Sequence, residues 1–436
     1  MRRRLPTSAM LIGAAAALAA CAPAPRLPPP APRLSTADPV GFEGEHVRLA
    51  YDSEHAFLEH SKLTFAALRR AAGDGPINAL SLSGGGAGGA FGAGALVGWT
   101  RSGKRPEFQL VTGVSVGALI APLAFLGPDW DPVLTRALAG DSSEHLLQRH
   151  LLDALFGSSL YAGRPLRELV TPFVTDKLIR AIAREYARGR RLYIETTDLD
   201  KGEPVIWDMG AIATHGGPAA RKLFTNVLVA SASIPAVFPP VLIRVTEHGH
   251  EYDEMHVDGA TTMPLFIGPE VSALVTRDAP RLQNFRAYVL VDGQLGRFPS
   301  KTRLRTHKIV ARAFDTNLTH EIRMALALAY NFADRYGMRF QLTAIPTGYP
   351  FGGPLDFKPA HMHKLFDYAA HCAESGQLWL SLDTMYHQAM TASAPMPGAT
   401  PGCPVVDSAD APSDPASAHI QHAPDAHPKP QAVEHP

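Results

Sequence analysis

The sequence has no net charge of either sign and few cysteines. Its 436 residues contain 41 Lys+Arg and 41 Asp+Glu, so the formal net charge is zero with histidine neutral. A neutral chain without an evident block of like charge lacks the basic face that nucleic acids require, and no nucleic-acid partner is expected. Three cysteines do not make a metal framework. The 46% of apolar residues exclude disorder throughout the chain.

The N-terminal apolar run, residues 9–20, is too short to span a bilayer comfortably. It follows three arginines at positions 2–4 and ends in small residues before Cys21, which predicts a secretory signal peptide over residues 1–20. A small-residue site ending in cysteine resembles the bacterial lipobox, whose cysteine is acylated. That resemblance implies a lipid anchor at Cys21 and a place in the bacterial cell envelope, at the outer membrane or the periplasmic face. The alternative is an ordinary signal peptide in which Cys21 is incidental.

Proline marks the ends of the chain. Of its 38 prolines, six fall in residues 21–32 and ten in residues 391–436. Residues 21–39 are therefore predicted to be a lipidated, extended tether, and residues 391–436 a disordered tail rich in Pro, Ala and His. Residues 40–390 remain as the folded body. Because Cys403 falls in the predicted tail and Cys372 on a predicted helix, we expect no disulfide between them.

Within the body, apolar runs alternate with helical patterns. Strands are predicted at Ile77–Ser83, Phe108–Val114, Leu192–Thr197, Val205–Trp207, Met255–Asp258 and Arg286–Asp292. Helices are predicted at Ala90–Trp99, Val116–Leu126, Pro165–Ala187, Ala219–Ala230, Thr306–Arg335 and Pro359–Asp383. This alternation predicts a layered α/β domain with a central, mostly parallel sheet.

A glycine-rich loop, Gly84–Gly89, follows the first predicted strand. Consecutive glycines allow several backbone N–H groups to turn toward one point, and the helix N-terminus behind them favours an anion. The spacing of Gly84, Gly86 and Gly89 also fits a dinucleotide fingerprint. That reading needs an acidic residue at the end of the next strand, whereas Glu107 stands at its beginning.

A second motif, Gly113-Val114-Ser115-Val116-Gly117, fits a nucleophile elbow. Such a motif holds a serine on a sharp turn between a strand and a helix, where its hydroxyl is exposed. Both loops are predicted to lie at the carboxyl ends of adjacent strands, where α/β sheets place their sites.

The serine needs a base, and Asp258 is the candidate. It ends a short predicted strand in His256-Val257-Asp258-Gly259-Ala260. Because its ordinary pKa is about 4, it can act as a base at neutral pH only in a partly dry site or in a concerted proton transfer. No histidine after Ser115 has a sequence context that singles it out, and His256 is assigned no role.

Together these motifs resemble the patatin-like phospholipase family over roughly Ile77–Gly376. That family has a glycine-rich oxyanion loop, a G-x-S-x-G serine and a downstream D-G-G/A aspartate, in this order. The stretches Thr196–Asp208 and Ala230–Pro240 also resemble it. The resemblance implies a layered α/β/α fold and a bacterial lipoprotein that cleaves carboxylic esters of phospholipids or related lipids, with no metal and no organic cofactor.

The resemblance also implies roles for individual residues. Ser115 and Asp258 would form the catalytic dyad, with Gly113 and Gly117 in the elbow and Gly259 and Ala260 in the aspartate motif. The implied oxyanion-hole residues are Gly84, Gly85, Gly86, Gly88 and Gly89.

There are two departures from the family pattern. Gly88 stands where the family often has Arg or Lys, and Val114 and Val116 flank the serine where it often has Thr and Ala. The missing cation removes one contact to a phosphate or an oxyanion, whereas ester cleavage itself does not depend on it. Two alternatives stay open: a nucleotide-binding protein that uses the glycine loop, and a catalytically silent lipoprotein that binds lipid.

Overall fold

A computed structural model describes ten segments of the chain: residues 26–28, 37–49, 54–139, 164–235, 237–247, 249–268, 282, 284–296, 298–391 and 401–404. The predicted signal peptide, Cys21, and most of the predicted tether and tail lie outside the described residues. No helix in these segments is both long enough and apolar enough to cross a membrane.

The body is built on one sheet of nine strands. The strands are β1 Asp38–Pro39, β2 Ile77–Leu82, β3 Leu110–Val114, β4 Arg191–Asp198, β5 Glu203–Asp208, β6 Val241–Glu247, β7 His250–Asp258, β8 Phe285–Gln294 and β9 Arg339–Ile345. Their order is β1-β6-β7-β4-β3-β2-β8-β9, and β5 pairs with β4 beside this path.

Five adjacent strands, from β4 to the edge strand β9, are parallel. The pairs β4–β3, β3–β2, β2–β8 and β8–β9 are all parallel, whereas β7 runs antiparallel to β4. Every residue of β2 and β3 is buried, as expected for parallel strands covered on both faces. The carboxyl ends of β2, β3 and β8 therefore meet at one edge of the sheet, which we call the carboxyl edge.

Helices cover both faces of the sheet. They are α1 Glu54–Ala72, α2 Gly89–Arg101, α3 Val116–Leu126, α4 Asp131–Leu138, α5 Arg164–Val170, α6 Asp176–Ala187, α7 Met209–His215, α8 Gly217–Ser231, α9 Thr306–Tyr336, α10 Pro359–Glu374 and α11 Leu382–Thr391. Helices α2, α3, α8 and α10 contribute to the largest apolar cluster, and α1, α9 and α11 to two clusters on the opposite face. The predicted layered α/β/α architecture is confirmed.

Two predicted helices are broken in the structure. Residues 165–187 form α5 and α6, because the chain turns at 171–175 and Thr175 caps α6 by accepting a hydrogen bond from the N–H of Leu178. Residues 359–383 end as a helix at Glu374, and Gly376 takes a φ of 77°. Strands β1, β6 and β9 have no counterpart among the predicted ones.

Cys372 and Cys403 form a disulfide, so the expectation that they stay unpaired is wrong. Their Cα atoms lie 5.4 Å apart, and the Tyr368 hydroxyl donates to the carbonyl of Gly402. Residues 401–404 are thereby held against α10, although they fall in the part of the sequence predicted to be a disordered tail.

Candidate active site

Ser115 occupies a strained turn at the carboxyl edge. It lies between β3 and α3 with φ 56° and ψ −125°, and it is 5% exposed. Positive φ is unfavourable for a residue with a side chain, and such strain is typical of functional positions. A Cβ atom on Gly113 would lie 2.5 Å from the carbonyl oxygen of Gly117, and one on Gly117 would lie 2.4 Å from that of Leu82. The turn therefore requires glycine on both sides of the serine.

Asp258 lies directly against this serine. The Ser115 Oγ donates to Asp258 Oδ2 at 2.6 Å, and the N–H of Ala260 donates to Asp258 Oδ1 at 2.9 Å. Strand β7 brings the aspartate there by pairing with β4, where Asp258 stands opposite Thr196. Among the described residues, no histidine ring bonds to either member of this pair. The ring nitrogens of His256 contact Thr196 Oγ1 and Glu254 Oε2.

Two serines at the end of α8 hold the pair in place: Ser231 is the last residue of the helix, and Ser233 follows it. The N–H of Ser115 donates to Ser231 Oγ at 3.0 Å, and the N–H of Asp258 donates to the Ser233 carbonyl at 3.0 Å. Both belong to the Ala230–Pro240 stretch, in which the sequence offers Ile234–Val237 and Phe238–Pro240 either as lining of an acyl channel or as core, and assigns no role to the serines. The structure gives this stretch a positioning function.

Burial controls the acidity of Asp258. The carboxyl is 2% exposed, and loss of hydration raises its pKa from 3.8 to about 7, against the smaller opposing effects of the Ser115 and Ala260 hydrogen bonds. A carboxyl that titrates near neutrality can accept a proton at physiological pH and return it later.

A second buried carboxyl, Glu195 on β4, lies nearby and was missed by sequence reasoning. It is fully buried; burial raises its pKa well above the ordinary range, and the charge of Asp258 adds to this effect. The Thr262 hydroxyl donates to its Oε1 at 3.0 Å. The only available signal was an acidic residue within an otherwise apolar and hydroxyl-bearing strand.

The glycine loop packs too closely for side chains. A Cβ on Gly84 would lie 3.3 Å from the Cβ of Ser115, and a Cβ on Gly85 or Gly88 would lie 1.9 Å from the Asp292 carbonyl oxygen. Since there is no space for a side chain at position 88, the family's common cation is sterically excluded in this arrangement. A Cβ on Gly89 would lie 2.2 Å from Cγ2 of Val116.

Hydrogen bonds distinguish the five glycines of the predicted oxyanion hole. The N–H groups of Gly84 and Gly88 donate to the carbonyls of Pro264 and Gly85, and that of Gly89 donates within the loop to the Gly86 carbonyl. Within the described segments, the N–H groups of Gly85 and Gly86 have no protein acceptor. These two are therefore the N–H groups of the loop that have no acceptor among the described residues.

The residues Gly259 and Ala260 close the site from the aspartate side. A Cβ on Gly259 would lie 2.7 Å from the Glu195 carbonyl oxygen. The Cβ of Ala260 would lie 3.2 Å from a Cβ placed on Gly84. The aspartate motif thus packs against the glycine loop with small residues on both sides.

A buried ionic cluster lies further along the same face of β7. The side chains of Asp198, Glu254 and His256 bring possible metal-ligating atoms within 4.8 Å of one another. Lys201 Nζ lies 2.9 Å from one oxygen of Glu254, and Arg48 Nη1 lies 2.8 Å from the other. Since two cations already balance the two carboxylates, the donor set does not favour a metal ion.

An apolar cleft adjoins α3. Leu119, about one helical turn beyond Ser115, begins its lining, and the cleft has a cavity volume of about 50 Å³. The other lining residues are Pro122, Leu123, Ala137, Leu138, Leu169, Val170, Phe173, Val174, Leu178 and Leu228. The lining is apolar, and the cavity is small.

Comparisons with known proteins give a family match and low structural similarity to solved proteins. A search of curated proteins finds no match. Among solved structures, the chain is similar to VipD from Legionella pneumophila, at 14% identity and a TM-score of 0.33, with 69% of this chain and 67% of that chain covered. It is also similar to human GIVD cytosolic phospholipase A2, at 13% identity and a TM-score of 0.31, with 68% of this chain and 51% of that chain covered; it thus spans about half the length of the human protein. The family model described as patatin-like phospholipase matches residues 80–269 of this chain.

Proposed function

We propose that this protein is a serine lipid acyl hydrolase that cleaves carboxylic esters of phospholipids or related lipids with a Ser115–Asp258 dyad. The observation that carries the proposal is the 2.6 Å hydrogen bond from Ser115 Oγ to Asp258 Oδ2, formed by a serine on a strained elbow and a buried carboxyl. The match of residues 80–269 to the patatin-like phospholipase family supports a lipid substrate.

In the first half-reaction, Ser115 Oγ forms a bond to the ester carbonyl carbon while its proton passes to Asp258 Oδ2. The tetrahedral oxyanion collapses, the bond to the alcohol oxygen breaks, and Asp258 returns the proton to that oxygen. In the second half-reaction, water attacks the acyl-serine with Asp258 again accepting and returning a proton. This sequence regenerates Ser115 and releases the fatty acid.

The N–H groups of Gly85 and Gly86 are the donors that we assign to the oxyanion, because they have no protein acceptor in the described segments. A well-placed donor stabilises such a transition state by about 3–4 kcal/mol. The close packing of Gly84 against Ser115 places the start of this loop beside the nucleophile.

The apolar cleft beside α3 is the proposed binding site for the acyl chain. It is lined by aliphatic side chains of α3, α5 and α6, together with Leu228 of α8, and it lies along the helix that begins at the nucleophile. Its composition favours an alkyl chain over a charged group.

The proposed location is the bacterial cell envelope, with the chain anchored through acylated Cys21. The disulfide between Cys372 and Cys403 supports an oxidising compartment. Residues Arg26–Pro28 of the tether lie against β7, where Arg26 Nε donates to the Asp253 carbonyl at 3.0 Å and the N–H of Asp253 donates to Leu27.

The test is hydrolysis of a mixed bacterial lipid extract, followed by mass spectrometry of the released fatty acids. Wild type should release fatty acids, whereas folded Ser115→Ala and Asp258→Asn should not. Release by Ser115→Ala at the wild-type rate would refute the dyad. A folded wild type that hydrolyses no ester, and whose melting temperature rises with adenine nucleotides, would favour the nucleotide-binding alternative.

A further inference from the structure

One segment of this neutral protein contains several cations and no acidic residue. Residues 293–314 contain six Lys+Arg and no Asp or Glu. Of these cations, Lys301, Arg303, Arg305 and Lys308 are exposed. Among the described residues, none of these four forms an ion pair with a carboxylate. The zero net charge of the chain therefore does not reveal the local excess of positive charge in this segment.

Exposed apolar side chains are interspersed with these cations. Leu304 is 95% exposed, Val310 55% and Ile309 47%. A surface with both features, which we call the basic tip and define as residues 301–312, is typical of elements that lie on anionic lipid surfaces. Cations meet the phosphate groups there, and the apolar side chains enter the boundary below them.

The basic tip projects from the body. Helix α9 has 31 residues and is therefore about 46 Å long, much longer than the strands it covers. The guanidinium of Arg323 donates to the carbonyl of Leu295, just beyond the end of β8. The N-terminal half of α9 therefore lies at the carboxyl edge, where Leu318 and Ile322 are still buried against the sheet. Asp315 is the first buried residue of the helix, and the helix start lies about 13 Å beyond it.

The start of α9 lies near the proposed active site. The side chain of Asp315 would lie 3.9 Å from a Cβ on Gly353, and the carbonyl of the next residue, Pro354, accepts the N–H of Ala87 at 2.8 Å. Ala87 belongs to the glycine loop that faces Ser115. A surface bound by the basic tip would therefore face the carboxyl edge, where the nucleophile lies.

We infer that the basic tip binds the surface of an anionic phospholipid bilayer and thereby brings the Ser115 site to its lipid substrate. The delivery of the Ser115 site to its substrate rests on the proposed function, whereas binding of the bilayer does not require turnover. Charge complementarity selects the anionic bilayer, and the exposed Leu304, Ile309 and Val310 favour it over duplex nucleic acid, which offers no apolar boundary.

The experiment uses the full chain carrying Cys21→Ser, so that acylation supplies no membrane affinity. A four-glutamine variant replaces Lys301, Arg303, Arg305 and Lys308. Its matched control replaces four exposed cations at the opposite edge of the sheet, Arg70, Arg101, Lys104 and Arg335, which lie near the ends of α1, α2 and α9. Cosedimentation is measured with phosphatidylglycerol-containing vesicles and with neutral phosphatidylcholine vesicles, at low and high salt.

The parent and the control should bind anionic vesicles in a salt-sensitive manner, and the four-glutamine variant should bind at least about 100-fold more weakly. All three should hydrolyse a soluble short-chain ester at the same rate. A Leu304→Ser and Ile309→Ser variant should also lose vesicle affinity while it keeps its positive charge.

Equal binding of anionic vesicles by the parent and the four-glutamine variant would overturn the inference. So would equal binding of neutral and anionic vesicles, or binding of duplex DNA without binding of vesicles. Vesicle binding and ester hydrolysis are measured separately, so the two proposals can fail independently. Ser115→Ala should bind vesicles as the parent does. If the parent binds vesicles but hydrolyses no ester, the proposed function is refuted and the basic tip remains supported.

Discussion

Asp258→Asn should stabilise the folded protein, and the stabilisation should grow with pH. In the folded chain, burial raises the pKa of Asp258 from 3.8 to about 7. The folded state therefore keeps this proton up to about neutral pH, whereas the unfolded state releases it near pH 4. Between these values the unfolded state binds fewer protons, so the free energy of unfolding falls as pH rises.

The magnitude follows from the two pKa values. A difference of one in pKa corresponds to about 1.4 kcal/mol, so the buried carboxylate costs about 4 kcal/mol at pH 8 and about 1 kcal/mol at pH 4.5. Asparagine has nearly the same shape and no charge to desolvate. The free energy of unfolding of Asp258→Asn, relative to that of wild type, should therefore be about 3 kcal/mol higher at pH 8 than at pH 4.5.

The assay is urea unfolding of both proteins at pH 4.5 and 8, followed by tryptophan fluorescence. Subtracting the free energy of unfolding at one pH from that at the other cancels the contributions of shared groups that do not interact with Asp258. Glu195 is the exception, because the charge of Asp258 raises its pKa. The exposed Asp129 provides the control, because Asp129→Asn removes a hydrated carboxyl and should change nothing with pH. If the free energies of unfolding of wild type and Asp258→Asn differ by the same amount at both pH values, the claim that this carboxyl is desolvated is refuted.

Three further outcomes are expected. The kcat/KM for a soluble ester should rise with pH through about 7, because only ionised Asp258 accepts the serine proton; a flat profile from pH 5 to 9 would contradict this. Gly85→Ala should abolish turnover and lower the melting temperature, since its Cβ would lie 1.9 Å from a backbone oxygen, whereas Gly293→Ala meets nothing within 4 Å and should be neutral in both assays. Replacing Cys372 and Cys403, 31 residues apart, by serine should destabilise the chain by at most about 4 kcal/mol in urea unfolding and leave kcat unchanged; loss of activity in the folded variant would contradict a purely structural disulfide.

The local motifs were predictable because each consists of residues that are adjacent in the sequence. The elbow around Ser115 and the glycines at 84–89 have characteristic spacings, and a strand followed by a helix fixes where each must lie. The pairing of Ser115 with Asp258 was inferred from order along the chain. The sequence could not provide its geometry, which depends on β7 running antiparallel to β4.

The missed features all depend on contacts between distant positions. Ser231 supports the serine from 116 residues away, and nothing in its own neighbourhood indicates this partner. Glu195 appears as an isolated acid until β7 brings Asp258 beside it. Cys403 follows a stretch typical of a disordered tail, so its pairing with Cys372 could be found only in the folded chain.

The absence of net charge was also a misleading guide to the surface. Neutrality correctly describes the whole chain, but it averages over residues 293–314, where no acidic residue balances six cations. Only the structure places Lys301, Arg303 and Arg305 in an exposed segment that leads into α9, and Lys308 on the exposed start of that helix.

The most direct test of the proposed catalytic dyad is the site and rate of covalent labelling by a fluorophosphonate, located by mass spectrometry of the digested protein. Wild type should carry the label on Ser115 alone, and folded Asp258→Asn should react at least about 100-fold more slowly because the serine then lacks its base. Labelling of another residue, or equal rates of labelling for wild type and Asp258→Asn, would contradict the account.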